Sequence, residues 1–198
     1  MLVLGVTGGI GSGKGLATEF FRARGAAILD ADQIARQLMA AGSGLLAELA
    51  AVFGREIVRP DGSLDRRKLA EAVFGNPMAV ARLNALSHPP IKAEILRQIA
   101  RLAEGGRTPI VCVVAPLLLE AGYRGMVDRV LVVVADEQER IRRVMARDGL
   151  TEEQVRQRMA VQMPPSEQIR QADWVLDTSY GPDAAAERLE MIWRELNS

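Results

Sequence analysis

The sequence predicts an α/β fold in which a parallel sheet of about five strands lies between helices. Three observations lead to this class. The strand candidates are continuous apolar runs, and continuous apolarity indicates strands covered on both faces, as in a parallel sheet. Segments with helical spacing separate these runs. A glycine-rich turn, residues 8–15, connects the first strand candidate to a helix.

The first strands and helix flank this turn. Residues 2–7, LVLGVT, are rich in β-branched side chains and end at glycines, which predicts a buried strand. Residues 16–25 have helical spacing and end at Gly25, with arginines in the last turn. Residues 26–32, AAILDAD, predict a second buried strand whose carboxyl end carries carboxylates.

A helical insertion separates the second strand from the third. About seventy residues without a strand pattern intervene, and this is too long for one crossover between neighbouring strands. The segments with helical spacing are 33–42, 45–54, 64–75, 77–88 and 90–106. The sequence therefore predicts a helical insertion beside the sheet.

Three further strands and a second insertion follow. The apolar runs that predict the last three strands are 108–118, 128–136 and 172–179. Residues 136–163 predict two helices, the second opened by a capping box of Thr151 and Gln154. The expected division is a nucleotide-binding core of residues 1–33, 107–135 and 170–198, a helical insertion at 34–106, and a second insertion at 136–169.

The composition argues against binding to nucleic acid or to a membrane. The chain has 198 residues, with 25 Lys and Arg against 25 Asp and Glu, so no net charge attracts a polyanion. The apolar runs are too short to span a bilayer, and we expect a cytoplasmic protein. The single cysteine, Cys112, lies in an apolar run, which predicts a buried strand residue rather than a reactive thiol.

The glycine-rich turn has the spacing of a phosphate-binding loop. Gly8 to Lys14 match G-x-x-x-x-G-K after a predicted strand and before a predicted helix. Glycines let successive backbone N–H groups surround an anion, and the helix N-terminus adds partial positive charge. Lys14 would reach the β- and γ-phosphates. The sequence therefore predicts a nucleoside triphosphate site in a doubly wound, P-loop NTPase-type sheet.

Gly15 departs from the usual ending of this motif. A Ser or Thr at this position would place its hydroxyl on Mg²⁺. Mg²⁺ usually keeps several waters and binds substrate phosphates, so a water can replace the hydroxyl. The missing ligand predicts a weaker metal site, with Mg²⁺ held mainly by ATP and water, rather than an inactive protein.

Two carboxylates distinguish this chain from other classes of P-loop protein. No N-K-x-D motif is present to read guanine, and the long apolar run before Glu120 lacks the acidic residue of a large ATPase. Asp30 and Asp32 instead end the predicted second strand, at the edge where ligands bind a doubly wound sheet. Asp32 is the candidate general base and Mg²⁺ ligand. Asp32 could instead cap the following helix, and the role of Asp30 stays open.

Six blocks in order resemble the dephospho-coenzyme A kinase family. They run from about residue 3 to about residue 181 and read GVTGGIGSGKG, LDADQIARQL, DGSLDRRKLAEAVF, LNALSHPPI, PLLLE and RRVMARDGLTEEQVRQRMAVQ. The resemblance implies transfer of the ATP γ-phosphate to the ribose 3′-hydroxyl of dephospho-coenzyme A. It also implies that the 34–106 insertion binds this acceptor and that 136–169 is a lid.

The resemblance assigns roles to individual residues. It makes Lys14, Asp32, Arg143 and Arg147 the catalytic residues, with the two arginines in the lid. The ATP-binding residues that it implies are Gly9, Gly11, Ser12, Gly13, Lys14, Gly15 and Leu16. The acceptor-binding residues that it implies are Asp32, Arg36, Arg66 and His88. Because His88 precedes two prolines at a predicted helix start, it can also be a simple cap.

Helical spacing supports the lid assignment. Arg140, Arg143 and Arg147 fall on one face of a predicted helix, and arginine forks suit phosphate oxygens. A solvated basic face is the alternative.

The chain also departs from the family pattern at three places. Besides Gly15, Arg140 stands where the family often has Gln, and LDTSYG at 176–181 replaces a common pattern near the adenine side, around Thr178. Two alternatives stay open: another small-molecule kinase, and a weak or silent ATP-binding relative. A monomer or a small homo-oligomer is expected.

Overall fold

The computed structural model describes residues 1–106 and 108–197. The predicted domain boundary at Arg107 and the chain end at Ser198 lie outside these residues. Contacts divide the chain into two compact units, one formed by Met1–Leu29 with Arg101 onward, the other by Asp30–Ala100. The helices and strands, in chain order, are β1 Leu2–Thr7, α1 Lys14–Ala23, β2 Ala27–Asp30, α2 Ala31–Leu38, α3 Gly44–Phe53, α4 Arg66–Val73, α5 Pro77–Glu104, β3 Ile110–Val114, β4 Arg129–Val134, α6 Glu137–Asp148, α7 Glu152–Ala160, α8 Pro165–Arg170, β5 Trp174–Asp177 and α9 Pro182–Leu196.

The strands form one sheet in the order β2-β3-β1-β4-β5, which confirms the predicted five-stranded parallel α/β class. β1 lies at the centre, with Val6 opposite Val114 of β3 and Thr7 opposite Val132 of β4. β2 and β3 therefore lie on one side of β1 and β4 and β5 on the other, and in such sheets a crevice opens at the carboxyl ends of the strands where the order reverses. The turns that follow β1, β4 and β5 all leave the sheet at this edge.

Burial of the central strands explains their continuous apolar sequence. The core of the first unit contains Leu4, Val6, Leu131 and Val133, all fully buried, packed with Phe21 of α1. Cys112 is completely buried in β3, and burial raises the pKa of its thiol to about 12. The prediction of a buried strand cysteine is confirmed.

The helices of the second unit pack around a small core of their own. Leu46 and Leu49 of α3 meet Ile57, Leu64 and Leu69. Side-chain oxygens cap the helices: Ser43 accepts a hydrogen bond from Leu46 N, and Asp65 accepts from the first turn of α4. Of the helices in the described parts of the chain, none is both long and apolar enough to cross a membrane.

One predicted helix boundary is wrong. The segments 77–88 and 90–106 are a single helix, α5, with Pro89 and Pro90 in its interior. His88 therefore lies inside a helix and caps none. Proline has a helix-compatible φ, but inside a helix it removes a backbone hydrogen bond and its ring crowds the carbonyl of the preceding turn. Burial of Ile91 and Ile95 stabilises the helix immediately after the prolines.

The predicted second strand also extends too far. β2 ends at Asp30, and Asp32 lies in the first turn of α2. Asp30 ends the strand because its side chain accepts hydrogen bonds from Asp32 N and Gln33 N at 2.8 and 3.1 Å. The N-cap is thus Asp30 and not Asp32. The capping box of Thr151 and Gln154 is present as predicted.

Candidate functional site

The phosphate loop has a backbone that only glycine adopts easily. Gly11 and Gly13 have φ of +76° and +89°, in the left-handed region. At Gly8 a Cβ atom would lie 2.1 Å from the Val133 carbonyl oxygen, so the loop and β4 are in direct contact there. Lys14 begins α1, and its Nζ donates to the carbonyl oxygens of Gly8 at 2.6 Å and Gly9 at 3.1 Å. The lysine ammonium thus reaches back across the loop.

Side chains from distant parts of the first unit hold the outer face of this loop. Arg140 Nε donates to the Ile10 carbonyl at 2.9 Å, and Gln162 Oε1 accepts from Ile10 N at 2.8 Å. Thr178 Oγ1 donates to the Ser12 carbonyl at 2.8 Å. In a trans peptide the N–H points opposite to the C=O. The carbonyls of Ile10 and Ser12 point toward Arg140 and Thr178, respectively. The N–H groups of the following residues, Gly11 and Gly13, therefore point away from these two side chains.

Arg143 lies next to the phosphate loop in a network of its own. Its guanidinium donates to Glu139 Oε1 at 2.8 Å and to Thr178 at Oγ1 and O, at 2.8 and 2.9 Å. Hydrogen bonds from Arg142 and from Arg143 lower the pKa of the Glu139 carboxyl to about 2. Glu139 therefore stays ionised at neutral pH and orients Arg143.

Arg147 is the more exposed of the two predicted lid arginines. It pairs with Asp148 at 2.7 Å, and its side chain is 64% exposed, against 29% for Arg143. Both line a cavity of about 230 Å³ together with the loop from Gly11 to Gly15. The structure thus brings together the loop, Lys14 and both arginines. Arg140 lines a different cavity, which borders the same loop at Gly9.

The position of Gly15 leaves room for a larger residue. Apart from its chain neighbours and the backbone of α1, no atom of the described residues would lie within 4 Å of a Cβ atom at Gly15. The nearby Ser12 hydroxyl is buried and has no hydrogen-bond partner in the described part of the chain. Among the described residues no group of three His, Cys, Asp or Glu side chains is placed to hold a metal ion. A metal ion at the loop would therefore have to take most of its ligands from a bound substrate or from water.

The predicted acceptor residues all belong to the Asp30–Ala100 unit. Asp32 and Arg36 are exposed and lie one turn apart on α2. Arg66 begins α4 and lines a cavity of about 300 Å³ with apolar side chains such as Leu69 and Leu83. His88 is half-buried, and burial lowers the pKa of its imidazole, which favours the neutral form. His88 is not one of the described residues that line the cavity beside Arg66.

Two residues of the loop architecture have no signal in the sequence. Gln162 is 152 positions from Ile10, and Thr178 is 166 positions from Ser12. Nothing in the local pattern around either residue indicates a contact with the phosphate loop. The sequence indicates Thr178 only as part of the segment 176–181, which departs from the family pattern.

Comparisons with known proteins agree on one family. The model of the CoaE family, dephospho-CoA kinase, matches residues 2–183. A Geobacter sulfurreducens protein named dephospho-CoA kinase is 39% identical over 193 residues, covering 98% of each chain. A Syntrophotalea carbinolica protein of the same name is 44% identical over 179 residues, 90% of this chain and 84% of the relative.

Solved structures support the same grouping. TT1252 from Thermus thermophilus superposes with a TM-score of 0.84 at 38% identity, covering 98% of this chain and 97% of the other. Dephospho-CoA kinase from Campylobacter jejuni gives 0.72 at 26% identity, with 98% and 96% covered. Shikimate kinase from Bacteroides thetaiotaomicron, at 12% identity and 0.55, shares the fold alone.

Proposed function

Because this chain belongs to the dephospho-CoA kinase family, we propose that it transfers the γ-phosphoryl group of ATP to the ribose 3′-hydroxyl of dephospho-CoA. The hydroxyl O–H bond breaks, a new O–P bond forms at γ-phosphorus, and the bond to the β-phosphate oxygen breaks. The products are coenzyme A and ADP. The observation that carries the proposal is a phosphate loop with Lys14 reaching back across it, within a family match over residues 2–183.

The phosphate loop and the two arginines provide electrostatic stabilisation in this proposal. Phosphoryl transfer depends mainly on positioning and on positive charge around the equatorial oxygens. Lys14 would leave the carbonyls of Gly8 and Gly9 to contact the β- and γ-phosphates. Arg143, held by Glu139, would supply a fixed guanidinium, and Arg147 would turn from Asp148 toward the phosphates.

Asp32 is proposed as the general base that takes the proton of the acceptor hydroxyl. The position of Asp32 supports the role: its side chain is exposed in the first turn of α2, directly after the carboxyl end of β2. Arg36, Arg66 and His88 are proposed to bind the acceptor. The half-buried, neutral His88 suits a positioning role better than acid–base catalysis.

The residues present fit Mg²⁺ that is held mainly by ATP and water. The space at Gly15 accepts a water where other P-loops have a hydroxyl, and Asp32 is the proposed protein ligand. When bound, Mg²⁺ supplies positive charge to the phosphate oxygens. We also propose that residues 136–169 form a lid and that the insertion at 34–106 binds the acceptor. The protein is proposed to be cytoplasmic and to be a monomer or a small homo-oligomer.

An assay of ADP release coupled to NADH oxidation tests the function directly. Wild-type protein with Mg-ATP and dephospho-CoA is expected to release ADP and form coenzyme A in equal amounts, measured by chromatography. ADP release with shikimate or nucleosides but not with dephospho-CoA would contradict the proposal. Binding of ATP without turnover on any acceptor would indicate a silent relative, a class that the comparisons do not support.

A further inference from the structure

Arg140 is a buried arginine that forms no ion pair with a carboxylate among the described residues. The residue is 6% exposed, and its hydrogen bond runs from Nε to the Ile10 carbonyl at 2.9 Å. Among the ion pairs of the described residues none involves Arg140; Glu137 acts on it only at longer range and itself pairs with Arg156. Burying an unpaired charge is expensive, so buried arginines normally have an anionic partner.

The guanidinium lies at the edge of a cavity beside the phosphate loop. The cavity has a volume of about 450 Å³, and its lining includes Gly9, Arg140, Gln162 and the ion pair of Glu137 with Arg156. A Cβ atom at Gly9 would come within 2.3 Å of Arg140 Nη2, so only glycine lets the guanidinium lie against the loop here. The bond from Nε to the Ile10 carbonyl holds the base of the guanidinium, and its terminal nitrogens are left for a ligand.

We infer that Arg140 binds a phosphate oxyanion of a bound substrate at the edge of the phosphate loop, as a cation additional to Lys14, Arg143 and Arg147. The identity of the substrates rests on the proposed function. The oxyanion is either a phosphate of ATP or the diphosphate of dephospho-CoA, which present the same chemistry. Binding would supply the missing counter-charge without moving Arg140, because the Ile10 carbonyl already fixes it.

Arg140→Gln separates this role from a purely architectural one. Glutamine Nε2 is separated from Cα by the same number of bonds as arginine Nε, so it can keep the hydrogen bond to Ile10. The charged end of the guanidinium is then the only part removed. A charge-assisted hydrogen bond to phosphate corresponds to roughly a 10- to 150-fold change in Kd. Arg140→Lys keeps a charge without the fork geometry and is expected to lie between the two.

Calorimetry with ATP, ADP and dephospho-CoA in separate titrations identifies the oxyanion. Weaker binding of ATP but not of ADP by Arg140→Gln would assign the γ-phosphate, and equal weakening of both would assign an inner phosphate of ATP. Weaker binding of dephospho-CoA alone would assign the acceptor diphosphate. Unchanged Kd for all three ligands overturns the inference. Arg170→Gln removes one charge from an exposed position on α8 and is expected to leave every Kd unchanged.

The stability of the ligand-free protein provides the second readout. Removing a buried charge that forms no ion pair is expected to leave the melting temperature of Arg140→Gln equal to or above that of the wild type, provided that glutamine keeps the hydrogen bond to Ile10. A lower melting temperature with unchanged affinities would assign Arg140 to loop architecture only and overturn the inference. If the wild type forms no coenzyme A, the proposed function fails. If it does and Arg140→Gln binds all ligands normally, only this inference fails.

Discussion

Replacing Gly15 by serine or threonine is expected to give a faster enzyme that needs less Mg²⁺. Gly15 is the second residue of α1, directly after Lys14. Apart from its chain neighbours and the backbone of α1, no described atom lies within 4 Å of a Cβ atom at this position, so the larger side chain enters without displacing another part of the structure. The new hydroxyl would stand where other P-loops contribute a metal ligand.

The size of the effect follows from exchanging a mobile water for a fixed hydroxyl. A hydrogen bond or contact to a charged group contributes about 1–3 kcal/mol. This corresponds to about 5- to 150-fold in turnover or in the Mg²⁺ concentration for half-maximal rate. Replacing glycine in a helix also stabilises the protein by up to about 1 kcal/mol, and by less in a first turn such as this one.

Turnover measured against Mg²⁺ concentration, at saturating ATP and dephospho-CoA, tests this prediction. Gly15→Ala is the matched control, since it gains the helix propensity without the hydroxyl. The alanine variant is expected to raise the melting temperature and leave the Mg²⁺ curve unchanged. Superimposable Mg²⁺ curves for Gly15→Ser, Gly15→Ala and the wild type would refute the reasoning and show that another group replaces the hydroxyl.

Three further predictions concern the candidate site. Asp32→Asn is expected to bind ATP normally but to lose roughly 10²–10⁴-fold in turnover, and a rate within a few-fold of the wild type would remove the proposed base. Arg147→Ala is expected to lower turnover without changing the melting temperature, whereas Arg143→Ala should lower both, because Arg143 also holds Thr178; equal melting temperatures would contradict this distinction. Since burial lowers the pKa of His88 in the folded state, the unfolded state binds its proton more readily and stability falls as pH drops below about 6.5. In chemical denaturation at pH 5 to 8, His88→Gln should lose less stability on acidification than the wild type, and parallel curves would contradict the shift.

Much of the fold was predictable because strands and helices leave periodic patterns in the sequence. The continuous apolar runs place β1, β3, β4 and β5 within a few residues of their observed bounds. The errors occurred where local signals compete. Prolines usually end helices, yet α5 continues through Pro89 and Pro90. The carboxylates of AAILDAD suit either a strand end or a helix cap, and side-chain hydrogen bonds of Asp30 decided between them.

Part of the candidate site could likewise be predicted from the sequence and part could not. The phosphate loop could be identified because its glycines and Lys14 lie in one contiguous stretch, with the spacing needed to surround a phosphate. The departure at Gly15 could be read from the same stretch. The sequence also indicated that arginines of α6 share a helical face. It contained no information on which of them reach the cavity at the loop, because that depends on how α6 packs on the turns after β1 and β5.

The sequence by itself determined the fold class, the nucleotide loop and the family, since these depend on local periodicity and on contiguous motifs. Only the tertiary structure decided what holds the loop. Gln162 and Arg140 form hydrogen bonds with the backbone of Ile10, and Thr178 forms one with the backbone of Ser12. Each of these bonds joins residues that are more than a hundred positions apart in the chain. Single hydrogen bonds of this kind leave no periodic trace, because one side chain meets one backbone group only after the sheet has brought its turns together.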